Sequence, residues 1–360
     1  MHNNQTSVVV GLSGGVDSAV AALLLQRAGH QVCGLFMKNW DEDDGTDYCT
    51  AAEDYADAQK IAERIGIELD SINFAAEYWE RVFAEFLRDY EAGYTPNPDV
   101  LCNREIKFGL FVDYVEQLGV RTIATGHYAR GEGRDETFEL FRAADLAKDQ
   151  TYFLSCVPRL RLGQCLFPLA NHTKTQVRQM AKCNGLHVSE KKDSTGICFI
   201  GERRFNELLE RYIRHKPGEI VDAKGRILGE HIGLAYYTFG QRKGLAIGGK
   251  QDAREAPWYV MEKLEDSNRL VVTQNQNELM NYELEAIDVN WLVDDPSQHV
   301  NCQAMVRYRQ PPAPCEYSIE RNNIRVRFDS PQRAVTPGQF VVLYQDDKCL
   351  GGARISRVMN

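Results

Sequence analysis

A chain of 360 residues, 43% hydrophobic and 26% charged, has room for two or three domains with ordinary cores, which excludes a disordered or low-complexity protein. Its formal net charge of −9 excludes a protein that coats nucleic acid indiscriminately, yet leaves space for a local basic surface that meets one folded RNA. No apolar run approaches a membrane span and the start, MHNNQTS, lacks the basic-then-apolar pattern of an export signal, so the expectation is a cytoplasmic protein with no membrane partner.

In chain order, Val8-Val9-Val10 reads as a strand and Ala19–Leu25 as the body of a helix. Between them lies Gly11-Leu12-Ser13-Gly14-Gly15-Val16-Asp17-Ser18. A glycine loop at a helix N-terminus suits phosphate: backbone N–H groups converge, the helix dipole favours negative charge, and missing Cβ atoms allow close approach. A tight turn with no ligand is the simpler reading of a lone glycine pair; two serines and an aspartate around it make SGGVDS more specific. No GxxxxGK[ST] occurs, so no lysine of the loop reaches a terminal phosphate, and no GxGxxG occurs either.

Val32–Met37, Ile67–Phe74 and Val120–Thr125 read as further strands, Tyr55–Ile65 and Tyr78–Tyr90 as helices. That alternation implies a parallel sheet with helices on both faces, with ligands beyond the C-terminal strand ends where SGGVDS falls. Met37 would face the same edge, though on the residues alone ordinary strand packing is the preferred reading. The acidic stretch 41–47 is most simply a solvated loop.

Residues 95–105 carry more. Asn97 is a good N-cap and Pro98 suits the first helical position. Leu101, Phe108, Phe111, Val112, Val115 and Leu118 then form a helical apolar stripe. Asp99 and Cys102, three apart, project from one face. A thiolate near a helix N-terminus is stabilised, and a neighbouring carboxyl can move a proton; a buried structural cysteine in a capped helix is the plainer alternative. Ten cysteines with no export signal and no CxxC pair argue against a disulfide scaffold or zinc ribbon, and for buried or reactive thiols. Thr125–Arg130 ends a strand with Gly126 and His127, and Lys148-Asp149-Gln150 opens an apolar segment in the manner of a helix start.

Cys198 lies in a short apolar run after Lys191 and Lys192, two cations that would lower a thiol pKa if they face it. After about residue 210 the pattern turns to short strands. Ile220-Val221 and Ile227-Leu228 flank a turn like a hairpin, Gly240–Gly249 is a glycine-rich basic loop, and from about 255 onward the spacing suggests a small barrel. In that tail Arg307 and Arg309, then Arg325 and Arg327, alternate with apolar residues, so each pair lies on one strand face as a candidate phosphate contact.

SGGxDS resembles the pyrophosphate loop of the ATP pyrophosphatase superfamily, whose members split ATP between its α and β phosphates and place AMP on a carbonyl or amide oxygen. The combination is narrower. SGGVDS at 13–18, MKNWDEDDG at 37–45, TPNPDVLCNREIKF at 95–108, ATGHYAR at 124–130, KDQTYFL at 148–154, KKDSTGICFIGER at 191–203, GQRKGLAIGG at 240–249, RYRQ at 307–310, TPGQ at 336–339 and CLGG at 349–352 together resemble the bacterial tRNA-specific 2-thiouridylases, the MnmA family, from near residue 8 to the end. The resemblance implies an α/β architecture: a parallel-sheet, adenine-nucleotide-hydrolase-like domain over 1–210, a small central β-rich domain over 211–275, and a C-terminal tRNA-contacting β-barrel over 276–360. It implies a tRNA-uridine 2-sulfurtransferase acting on the wobble uridine of tRNAs for Lys, Glu and Gln, with ATP, Mg²⁺ and a sulfur-donor protein. Adenylation of the C2 oxygen would be followed by sulfur transfer from a persulfide on Cys198, with Cys102 closing a disulfide to it and Asp99 as acid or base. It further implies ATP contacts at Gly11 to Ser18, Met37 and Gly126, target-base contacts at Asn97, Pro98 and Asp99, and other tRNA contacts at His127, Lys148, Asp149, Gln150, Arg307, Tyr308 and Gln339. Two readings from other directions compete. Another synthetase with the same loop would explain residues 11–18 but neither cysteine stretch. An iron–sulfur or metal protein would use Cys102, Cys198 and Asp99.

Overall fold

The computed structural model describes residues 6–41, 51–193, 205–247, 256–321 and 323–359. Strands β1 (Ser7–Gly11), β2 (Gln31–Lys38), β3 (Glu68–Asn73), β4 (Thr122–Ala124) and, after the hairpin β5 (Arg130–Glu132) and β6 (Glu139–Phe141), β7 (Cys165–Leu166) supply the first sheet. Its order is β3-β2-β1-β4-β7, all parallel. The period of two is visible in β1. Val8 and Val10 pack against helices α1 (Val16–Arg27), α2 (Ala51–Ile65) and α3 (Lys174–Cys183), whereas Val9 faces the core under residues 75–117. The order reverses between β1 and β4, which places the ligand crevice of such a sheet between the loops that leave these two strands.

The helical stretch expected after Asn97 is present. Pro98–Cys102 is α-helical, Asn103–Leu110 widens to π-helix, and Phe111–Gln117 returns to α. Leu101, Phe108, Phe111, Val112 and Val115 are buried as the stripe predicts, but Leu118, just beyond the helix end, is exposed.

Strands β8 (Gly218–Asp222), β9 (Ile227–His231), β10 (Tyr259–Leu264) and β11 (Arg269–Thr273) form the central sheet, β10-β11-β8-β9, with β8 and β9 the expected hairpin. The last unit comprises β12 (Met280–Trp291), β13 (Asn301–Met305), β14 (Ala313–Glu320), β15 (Asn323–Arg333), β16 (Phe340–Gln345) and β17 (Lys348–Met359). It closes into a barrel because β12 pairs with both β15 and β17. The β5–β6 hairpin of the first unit adds to the barrel through β6 and β17, pairing Phe141 with Lys348 and Leu140 with Cys349.

Two expectations for the barrel need correction. Val306–Arg309 does not continue β13. The strand ends at Met305, Gln310 N–H donates to Arg307 O (3.2 Å), and Arg309 takes a left-handed φ of 66°, so these residues turn toward Pro311 and Pro312. Arg325 and Arg327 do share the outer face of β15, yet neighbouring strands oppose them with carboxylates. Arg325 meets Glu285 at 3.0 Å and Arg327 meets Glu316 at 3.8 Å. The stripe is charge-balanced, not a positive face.

The barrel also grips the first unit at the loop before Asn97. Thr95 N–H donates to Pro337 O (3.0 Å), and Gln339 Nε2 donates to Thr95 O (2.8 Å) and Pro96 O (3.2 Å). Gly338 makes this possible: its φ is +92°, and a Cβ there would stand 2.8 Å from Thr95 N. Gly338→Ala is therefore expected to cost about 1–3 kcal/mol, read as a lowered thermal midpoint, while Gly225→Ala, also at positive φ but with open space around it, costs less.

Candidate active site

β1 delivers the glycine loop to the sheet edge. Leu12 and Val16 are buried and anchor it, with Leu12 N–H donating to Leu35 O (2.9 Å). Ser13 is exposed above the edge. Gly14 has φ +73°, and a Cβ would stand 2.2 Å from Asp54 O, so the loop accepts only glycine there. The Ser18 hydroxyl folds back inside the loop, accepting from Ser13 N–H (3.2 Å) and donating to Gly15 O (3.1 Å). Gly15 is the N-cap of α1 and brings no side-chain cap, so first-turn N–H donors remain for an anion. Met37 leans over this edge, its Cε 3.5 Å from where a Gly11 Cβ would be. From β4, Gly126 comes against the same turn: a Cβ there would lie 2.7 Å from Ser18 N and 2.8 Å from Asp17 C. The ten residues assigned to the nucleotide thus meet at the β1–β4 crevice.

A web of ion pairs surrounds the loop. Asp17 accepts from Tyr128 OH (2.9 Å) and, through both oxygens, from Lys174 Nζ (2.8 Å each). Lys174 also reaches Asp193 at 2.6 Å, and Asp193 is held by Lys148 (2.5 Å) and Arg178 (3.1 Å). Burial alone would push the Asp193 carboxyl up; the ammonium groups of Lys148 and Lys174 override it and hold it at about 2. Lys191 turns to the loop as well, bonding Asp54 and Asp57 at 2.7 Å each and Gly14 O at 3.3 Å. Residue type and spacing gave no warning of Lys174. The capping box of Thr173 and Gln176 marks the start of α3, but nothing local says that this helix faces a loop 157 residues earlier.

On the other side of the edge, Asn97 caps its helix as expected, its Oδ1 accepting from Val100 N–H (3.4 Å) with Pro98 in the first turn. Asn97 Nδ2 also donates to Gln339 Oε1 (3.4 Å). Asp99 is half-buried and Cys102 fully buried one turn on. A cavity of about 380 Å³ lies where the three units meet, lined by Thr95, Thr238–Gln241, Arg307 and Gln339. Thr95 Oγ1 is buried there with no hydrogen-bond partner among the described residues.

The remaining expected contacts divide. Arg307 is exposed, and the Tyr308 ring packs on Phe153 with centroids 4.4 Å apart. Gln150 Oε1 accepts from Tyr128 N–H (2.9 Å), and the buried His127 bonds Thr125 Oγ1 through Nδ1 (2.9 Å). Asp149 does not present itself to a ligand. It is 5% exposed, and its carboxylate accepts from Ala143 N–H (2.9 Å) and Thr151 OH (2.7 Å), so it braces the segment from within. Cys198, residues 42–47 of the acidic stretch and Gly248-Gly249 of the basic loop lie outside the described residues.

Family profiles cover the chain in three parts: a tRNA methyl transferase HUP domain over residues 6–202, a tRNA methyl transferase PRC-barrel domain over 206–274 and an aminomethyltransferase beta-barrel domain over 281–355. The chain is 51% identical to the tRNA-specific 2-thiouridylase MnmA of Proteus mirabilis, over 98% of each chain. It is 52% identical to that of Methylococcus capsulatus, over 98% of this chain and 97% of that one. Among solved structures it is similar to the U34-tRNA thiolase NcsA of Methanococcus maripaludis, with TM-score 0.37 and 16% identity over 58% of this chain and 65% of that one. Identity of this degree along almost the whole length, with the three profiles in the same order as the three units, means that the chain belongs to the tRNA-specific 2-thiouridylase family.

Proposed function

We propose that this protein replaces the C2 oxygen of the wobble uridine in tRNAs for Lys, Glu and Gln with sulfur, at the expense of ATP, in the cytoplasm. The observation that carries the reading is the convergence of an uncapped helix start, Gly14 and Gly126 on one crevice, in a chain alike to the 2-thiouridylases along nearly its full length.

A pyrimidine C2 oxygen is a poor leaving group. Transfer of AMP to it, with loss of pyrophosphate, makes AMP the leaving group instead. The loop suits this step because fixed N–H donors stabilise phosphate charge without reorganising. A persulfide on Cys198, charged by a sulfur-donor protein, supplies the sulfur. Cys102 thiolate attacks Cys198 Sγ, forming a Cys102–Cys198 disulfide and expelling hydrosulfide, which adds to C2 and displaces AMP with the former oxygen. In the other order the outer persulfide sulfur attacks C2 first and Cys102 then breaks the S–S bond. Either way a thiol reductant reopens the disulfide. Asp99, one turn before Cys102, would serve as the acid or base. Asn97 and Pro98 border the target base, with Arg307, Tyr308, Gln339, Lys148 and Gln150 on the surrounding tRNA surface. Mg²⁺ would enter with the ATP phosphates, its common mode: Asp17 already accepts from Lys174 and Tyr128, and no group of three ligating side chains converges among the described residues.

Cys102→Ser and Cys198→Ser are each expected to abolish 2-thiouridine formation while ATP binding survives. Mass spectrometry of nucleosides from tRNA incubated with ATP, Mg²⁺ and a persulfide donor is the check; either variant thiolating at the parental rate would sink the two-cysteine route.

His127 would meet tRNA as a neutral imidazole. Burial, and secondarily the nearby Lys107 charge, push its pKa well below the ordinary histidine value. The unfolded chain takes up a proton near pH 6.5 that the folded site refuses, so His127 makes stability fall as pH drops below that point, by up to about 1.4 kcal/mol per pH unit. His127→Asn should flatten the slope of thermal midpoint against pH between 7.5 and 5.5; an unchanged slope would contradict this account of its burial.

A further inference from the structure

The glycine loop carries no lysine of its own, yet two lysines from distant segments end on it. Lys174 Nζ lies 2.8 Å from both Asp17 oxygens, and Lys191 Nζ lies 3.3 Å from Gly14 O. Lys148 and Arg178 stand one ion pair further out, both on Asp193. Four cations are thus matched by four carboxylates: Asp17, Asp54, Asp57 and Asp193. The lysines differ in how they are held. Lys191 is fixed by Asp54 and Asp57 of α2, and His187 supports Asp57 at 2.8 Å. Lys174 is shared between Asp17, which Tyr128 orients, and Asp193.

Asp193 is the exception among the four. Three cations hold it, whereas Asp17, Asp54 and Asp57 each meet a single lysine. A part-buried carboxylate ringed by three cations beside an anion-binding helix start occupies the electrostatic role of a phosphate group. Resting on the assignment of ATP to the glycine loop, we propose that Lys174 and Lys191 are the phosphate-binding cations this loop lacks, and that Asp193 is an internal counter-ion which the β- and γ-phosphates displace from Lys174 and Lys148. The exchange conserves charge pairing: the cations keep an anionic partner, and a carboxylate returns to water, where it is well solvated. Asp193 lies five residues before Cys198 in the chain, so the nucleotide phosphates and the start of the sulfur-bearing segment compete for the same lysines.

Inorganic pyrophosphate and adenosine separate the two halves of the nucleotide and serve as probes in titration calorimetry. Lys174→Met is expected to weaken pyrophosphate binding by about tenfold or more, the scale of a lost charged hydrogen bond, with adenosine affinity unchanged. Asp193→Asn removes the competitor and is expected to tighten pyrophosphate several-fold. A purely structural web predicts the opposite for Asp193→Asn, a loosened site and weaker pyrophosphate binding, and that result overturns the proposal. So does an unchanged pyrophosphate affinity in Lys174→Met. If circular dichroism finds Asp193→Asn unfolded, Lys191→Met takes its place: weakened pyrophosphate binding supports the proposal and unchanged binding overturns it. Wild-type protein that binds no ATP overturns the ATP reading and this proposal together, whereas ATP binding that is indifferent to Lys174 overturns this proposal alone.

Discussion

Gly126 leaves no space for a side chain between the end of β4 and the first turn of α1. That contact of backbone on backbone fixes how the two central strand ends open, and with them the crevice where the sheet reverses its order. Gly14 imposes the same condition on the other flank, where the Asp54 carbonyl fills the place of a Cβ. The loop is therefore shaped by three backbones in mutual contact. Its side chains serve elsewhere: Leu12 and Val16 in the core, Ser18 within the loop, Asp17 in the ion-pair web. What remains facing outward is the exposed Ser13 and peptide N–H, the group best suited to phosphate.

The second condition is that the helix starting at Pro98 be held by another unit. Asn97 caps the helix that carries Asp99 and Cys102, and it is itself held by Gln339 of the barrel. Thr95 and Pro96 are bonded to the same segment of the barrel. The cavity at this junction takes walls from all three units, so its shape depends on their docking. Thr95 Oγ1, buried there without a hydrogen-bond partner among the described residues, is a polar group for which a ligand atom would be a natural partner.

Local patterns were readable from the sequence where local physics decides. The alternation of Val8, Val9 and Val10 between two cores, the cap and proline at Asn97 and Pro98, and the hairpin at Ile220 and Ile227 all follow from nearest neighbours along the chain. The failures lie where partners decide that residue type and periodicity do not reveal. Arg325 looked like a phosphate contact until Glu285 on the next strand neutralised it. The resemblance implied a tRNA contact at Asp149, but Thr151 and Ala143 draw its carboxylate inside. Arg307 and Arg309 alternate like strand residues, and a left-handed residue before two prolines turns them instead. Lys174 has no local signal at all, because its meaning comes from Asp17 and Asp193.

The central claim is that AMP is placed on the oxygen that sulfur replaces. The direct measurement is a single turnover on tRNA carrying oxygen-18 at C2 of the modified uridine, followed by mass spectrometry of the nucleotide products. The account predicts that the heavy oxygen leaves in the phosphate of AMP and that pyrophosphate stays unlabelled. Thiolated tRNA formed together with unlabelled AMP would contradict it.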